Sequence, residues 1–186
     1  MSLVELVLEV HHHLDGAGTP HAFGGALALA YVAEPRGTID IDVNVFSPMT
    51  DIDTVLQVFS AIDLRPERRR EDWMPLAGIR LRRDVDPFPV DVFPALGERY
   101  AEIERRCPRH PFGPGGDRLP FLSAEDLTVF KLSFGRDKDW VDIRGIAAAE
   151  PDLDVEYVED QLVGLRGPLM HPRIARLRRL LRSERP

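Results

Sequence analysis

Cysteine is almost missing from this chain: Cys107 is the single one in 186 residues, so no internal disulfide can form. That fits a reducing compartment, and Cys107 lies in an arginine- and proline-rich stretch without a nucleophile motif. No apolar run approaches the roughly 18 residues that span a bilayer, and the N-terminus has no signal-peptide pattern. A cytoplasmic protein with no membrane partner is the expectation. Positive charge is also in short supply. The 24 Lys and Arg are outnumbered by 31 Asp and Glu, and the net charge of -7 excludes a generally basic nucleic-acid coat. The exception is the stretch 171–186, rich in arginine with Glu184 as its only acid. Internal repeats and long linkers are absent.

What is present reads as alternating helices and strands. Apolar residues at 3, 4, 6, 7, 8, 10 and 14 predict an amphipathic helix ending near Asp15-Gly16. His11, His12 and His13 fall inside it, and three adjacent helical residues cannot converge on one ion. Ala22-Phe23 predicts a short strand, Gly24-Gly25 a turn, and 26–33 an apolar helix. From Thr38 to Phe46, Ile39, Ile41, Val43 and Val45 face one way and Asp40, Asp42 and Asn44 the other, the period of a strand. A helix is expected over 52–62, strands at 79–81 and 89–93, a helix over 95–106 and a Pro/Gly loop over 108–120. Ser123 to Asp126 is similar to a capping box. It opens a helix to about Phe134, followed by helices near 137–149, 153–163 and 171–182. The order predicts an α+β fold, a small mixed sheet with flanking helices at 1–120 and a helical C-terminal region at 121–186 packed on it.

Asp40 and Asp42 carry the chemical argument. Carboxylates two residues apart on a strand share a face, with Cα atoms roughly 6–7 Å apart, and can grip one ion or two. Mg²⁺ favours a few carboxylates plus phosphate and water oxygens. Asp-x-Asp alone is better read as a solvated strand face. Gly24-Gly25 before a helix lets backbone approach an anion closely, at the helix end whose free N–H groups and dipole attract negative charge. Asp91 is the third element, a carboxylate within Pro89-Val90-Asp91-Val92-Phe93, where it is costly without a partner. Asp86 lies nearby in a turn before Pro87.

Together, Phe23-Gly24-Gly25-Ala26, Ile39-Asp40-Ile41-Asp42-Val43 and Val90-Asp91-Val92 resemble the nucleotidyltransferase superfamily, the fold of polymerase-beta-like enzymes. Arg36-Gly37-Thr38-Ile39-Asp40-Ile41-Asp42 is similar to the Arg-x-Thr-x-Asp-x-Asp form of AbiEii-type proteins of abortive-infection and toxin–antitoxin systems. So are Ser123-Ala124-Glu125-Asp126-Leu127 with Lys131, and Arg136-Asp137-Lys138-Asp139-Trp140-Val141-Asp142. The resemblance spans about residues 20–150.

It implies a nucleoside triphosphate (NTP) substrate, with Asp40, Asp42 and Asp91 on two Mg²⁺ ions and Asp91 helping to deprotonate the attacking hydroxyl. Gly24 and Gly25 would cradle the β- and γ-phosphates, with Arg36, Thr38 and Lys131 as further nucleotide-binding candidates. Lys131 joins the three acids among the catalytic candidates. Asp139 and Asp142, on one helix face, would support Lys131 or Arg36, or form a structural salt bridge. The implied acceptor is a hydroxyl on RNA, such as a tRNA end, or on a protein, in a toxin–antitoxin or phage-defence setting with a cognate chain as partner. The competing expectation is a non-catalytic, nucleotide-binding partner of such a pair. A metal-dependent phosphohydrolase is a third reading, disfavoured because no His adjoins the three acids. Arg173, Arg176, Arg178, Arg179 and Arg182 would offer RNA a basic face, while Ile174, Leu177, Leu180 and Leu181 form the apolar stripe of a docked helix.

Overall fold

The period-two pattern after Asp40 does make a strand, and it lies inside a five-stranded mixed sheet. The computed structural model describes residues 1–73, 78–85 and 87–184, so Asp86 lies outside the described residues. The chain divides into two compact units, Met1–Leu27 with Gly37–Phe121, and Ala28–Arg36 with Leu122–Pro186.

In the first unit, the sheet order is β1 (His21–Phe23), β2 (Ile41–Pro48), β5 (Val90–Ala95), β4 (Ile79–Arg82), β3 (Arg65–Pro66). Only β2 and β5 pair in parallel; the other neighbours are antiparallel. Ile41, Val43 and Val45 of β2, Val90 and Val92 of β5, and Ile79 and Leu81 of β4 are all buried. Helix α1 (Leu3–Gly16) adds Leu6, Val10 and Leu14 to this core, and α3 (Ile52–Ser60) adds Ile52, Val55 and Phe59. The three histidines of α1 diverge. His11 turns inward to His21, His12 lies 3.6 Å from Asp117, and His13 bonds the Glu9 carbonyl.

Three expectations need correction here. β2 begins at Ile41, not Thr38, and Ile39 is 65% exposed. Pairing starts where the Ile41 N–H reaches the Pro89 carbonyl at 3.0 Å, and Asp40 sits just before the strand. The helix expected from Ala95 begins only at Tyr100 (α4, Tyr100–Arg106), because β5 continues through Ala95. Pro94 is tolerated there since β4 pairs with β5 only as far as Val92. Third, 108–120 is a hairpin of β6 (Arg109–Phe112) and β7 (Asp117–Pro120). Its turn places Gly113 and Gly116 at φ of 70° and 73°.

The second unit is helical. It holds the end of α2 (Gly25–Val32), then α5 (Ala124–Phe134), α6 (Asp137–Ala149), α7 (Val155–Arg166) and α8 (His171–Glu184). Ser123 caps α5 by accepting the Asp126 N–H at 3.1 Å, and Gly135 ends it in the left-handed conformation. Asp126 is fully buried and takes hydrogen bonds from Ser123 Oγ and Tyr157 Oη, each at 2.7 Å.

Candidate active site

Strand register builds the site in the first unit. Asp42 lies opposite Asp91 across the parallel β2–β5 pair, and Arg80 lies opposite Asp91 across the antiparallel β4–β5 pair. Because side chains alternate in step across paired strands, Asp42, Asp91 and Arg80 form one row on one face. Their strand neighbours Ile41, Val43, Val90, Val92, Ile79 and Leu81 are buried. The row is a polar stripe on the face opposite these buried side chains.

Arg80 completes the site although no local motif in the sequence marks it. Its Nε donates to Asp91 Oδ1 at 2.8 Å and its Nη2 to Asp91 Oδ2 at 2.6 Å, a bidentate pair. The same Nη2 reaches Asp40 Oδ1 at 3.2 Å. Hydrogen bonds to Asp91 hold the guanidinium still further above its ordinary range, against partial burial. The Asp91 side chain is 14% exposed, those of Asp40 and Arg80 37% and 39%. A charged residue midway along Ile79-Arg80-Leu81 was the available signal, but its facing Asp91 depends on register.

The glycine turn is tied to the same strand. The Gly24 N–H donates to the Asp42 carbonyl at 2.9 Å, so the N–H groups left to meet an anion begin at Gly25. Gly25 has a φ of 55°, and a Cβ there would lie 1.7 Å from Asp42 Oδ2. Only glycine lets α2 start this close to the Asp42 carboxylate. Thr38 fixes the Asp40 backbone, its Oγ1 donating to the Asp40 carbonyl at 3.1 Å and accepting the Asp40 N–H at 3.2 Å.

Among the described residues, no three His, Cys, Asp or Glu side chains form a metal cluster. Mg²⁺ needs only one or two carboxylates when phosphate and water complete its shell. Asp42 beside Asp91, with Asp40 at the strand entrance, therefore fits that ion in donor type and number.

The other candidates group within the second unit. Asp142 receives Arg36 through Nε at 2.9 Å and Nη2 at 3.0 Å, and Lys131 Nζ at 2.5 Å. The Lys131 and Asp142 side chains are 6% and 3% exposed. Burial pushes the Asp142 carboxyl up, but the bonds from Arg36 and Lys131 outweigh it and leave it below its ordinary value. Asp139 does not join this cluster. It accepts the Arg136 N–H at 2.9 Å and pairs with the Arg136 guanidinium at the start of α6. In α8, Ile174, Leu177 and Leu181 are buried. Arg173 bonds the Leu132 and Ser133 carbonyls, Arg176 stacks 3.8 Å over Trp140, and Arg178 pairs with Glu159. Cys107 is half-buried and donates to the Ile103 carbonyl.

A central mixed sheet flanked by helices, with an acidic pair on adjacent strands beside a glycine turn, is the nucleotidyltransferase fold. No protein-family model and no curated protein matches the chain. Solved structures do. The solution structure of the antibiotic-resistance factor ANT(2'')-Ia superposes with a TM-score of 0.62 at 18% identity, covering 91% of this chain and 94% of that one. ANT(2'')-Ia in complex with adenylyl-2''-tobramycin gives 0.57 at 16% identity, covering 98% of each chain. The lincosamide antibiotic adenylyltransferase LnuA, lincomycin-bound, gives 0.55 at 14% identity over 76% of this chain and 94% of its own. No helix among the described residues is long and apolar enough to cross a membrane.

Proposed function

We propose that the chain is a nucleotidyltransferase, moving a nucleotidyl group from a Mg²⁺-bound NTP to an acceptor hydroxyl. The observation that carries this reading is the register that sets Asp42 beside Asp91, with Gly25 packed against Asp42 so tightly that no side chain fits. Asp40 and Asp42 would hold the ions, with Asp91 sharing the second. Bound there, Mg²⁺ would orient the triphosphate and neutralise its charge during transfer. The N–H groups that open α2, aided by the helix dipole, attract the β- and γ-phosphates. Arg36 and Lys131, both held by Asp142, are the candidate phosphate-binding cations of the second unit. Asp91 takes the acceptor's proton as the acceptor oxygen bonds to the α-phosphorus. The α–β bridging bond breaks and pyrophosphate leaves.

The AbiEii-type motifs favour an RNA or protein acceptor in a toxin–antitoxin or phage-defence setting. A second reading, a small hydroxylated acceptor, is favoured by α8. Three of its five arginines, Arg173, Arg176 and Arg178, are engaged within the second unit, and the net charge is -7. The small-antibiotic ligands of ANT(2'')-Ia and LnuA agree with that reading.

The test is incubation with Mg²⁺, each labelled NTP, and either total RNA, cell protein or a panel of aminoglycosides and lincosamides, beside an Asp40→Ala/Asp42→Ala control. Label carried to an acceptor by the intact protein alone supports transfer and names the acceptor class. NTP binding without transfer would favour the non-catalytic partner of a toxin–antitoxin pair. Absence of both binding and transfer would overturn the site.

A further inference from the structure

We propose that Arg80 is a built-in competitor of the divalent cation for Asp91 and Asp40, giving them up to metal that arrives with a polyphosphate able to take up its guanidinium. This rests on Asp40, Asp42 and Asp91 being the metal-binding residues.

Asp42 and Asp91 stand on adjacent strands, roughly 4.8 Å apart by ordinary strand spacing. Two carboxylates so close repel unless a cation intervenes. Arg80 places a cation beside that pair from the neighbouring register position, engaging both Asp91 oxygens and one of Asp40. A dication about 2 Å from the same oxygens would be repelled by the guanidinium 2.6–3.2 Å from them and would compete with it for their lone pairs. Metal therefore binds more weakly while the fork stands.

The arginine has somewhere to go. Its side chain is 39% exposed, and the planar fork that fits a carboxylate fits a phosphate equally well. Metal alone thus binds against Arg80, whereas metal with a triphosphate tail turns the competitor into a second ligand for the substrate. Metal and polyphosphate bind synergistically as a result.

Manganese is a convenient probe, measured by its paramagnetic signal with wild-type protein, Arg80→Met, Arg80→Lys and Asp42→Asn/Asp91→Asn. Loss of a bidentate, charge-assisted contact corresponds to about tenfold in affinity. Arg80→Met should therefore bind Mn²⁺ alone about tenfold more tightly than wild type. With Mn²⁺ saturating, it should bind inorganic tripolyphosphate about tenfold more weakly. Arg80→Lys, which keeps the charge without the fork, should fall between and serves if Arg80→Met does not fold. Equal or weaker Mn²⁺ binding by the Arg80 variants overturns the proposal. If Mn²⁺ binding is abolished in Asp42→Asn/Asp91→Asn yet indifferent to Arg80, only this inference fails. If the double variant binds like wild type, or no form binds at all, the metal reading of the carboxylates fails with it.

Discussion

Gly25→Ala is the substitution that interrogates the site most directly, because the nearest atoms an added Cβ would meet all belong to Asp42. An alanine Cβ would lie 1.7 Å from Asp42 Oδ2 and 2.7 Å from Asp42 Cγ, with the backbone at a φ of 55°. The left-handed conformation costs a non-glycine residue about 1 kcal/mol. Driving Asp42 off its rotamer adds about 1 kcal/mol more. Urea denaturation should register a loss of about 2 kcal/mol. Label transfer should fall by about 10²-fold, the usual consequence of an ångström-scale misplacement of a catalytic group. In an Asp42→Ala background the clashing carboxylate is gone, so Gly25→Ala should cost only the backbone share, about 1 kcal/mol. The coupling of about 1 kcal/mol between the two positions is the signature of direct contact. Equal costs in both backgrounds, or transfer within twofold of wild type, would show that Gly25 does not act through Asp42.

Stability should also depend on pH through the buried His11–His21 pair, 2.9 Å apart. Burial, opposed by the bond to the Thr19 carbonyl, pushes His21 down to about 4, and burial lowers His11 too. The folded state then binds fewer protons than the unfolded chain, so the contribution is complete above pH about 6.5 and is lost as pH falls toward 4, by about 3 kcal/mol. Urea melts at pH 7.5 and 5 should show a steeper loss in wild type than in His11→Leu/His21→Leu; parallel losses would count against it. Around Asp142, Lys131→Met leaves a neutral Asp142–Arg36 pair, while Asp142→Ala leaves two cations facing each other, one of them buried. Thermal and urea unfolding should give a cost of about 1–2 kcal/mol for the first and about 3–5 kcal/mol for the second; the reverse order would break the account. Tyr157→Phe should cost about 1–3 kcal/mol by removing a donor from buried Asp126, and an unchanged urea midpoint would show that the bond contributes nothing.

Local pattern carried a large part of this protein. The alternation through Ile41, Val43 and Val45 announces a strand, the spacing in α1 an amphipathic helix, and Ser123 a helix start, because each depends on neighbours within a few residues. The same locality made Asp40, Asp42, Asp91 and Gly24-Gly25 visible as candidates, and the order of those motifs pointed to the fold. Whatever depends on pairing between distant segments was settled by folding. Nothing local forces Asp91 to stand level with Asp42, or Arg80 with Asp91, since a slip of one residue would turn each side chain to the other face. The exposure of Ile39 follows from where β5 begins, at Val90 after Pro89, and the hairpin at 109–120 from pairing between segments too poor in apolar residues to show a period. Lys131 looks like an ordinary helix lysine until folding buries it against an aspartate eleven residues away, which Arg36 reaches from across the chain. The sequence set the chemistry available to the site; strand register chose which charges meet.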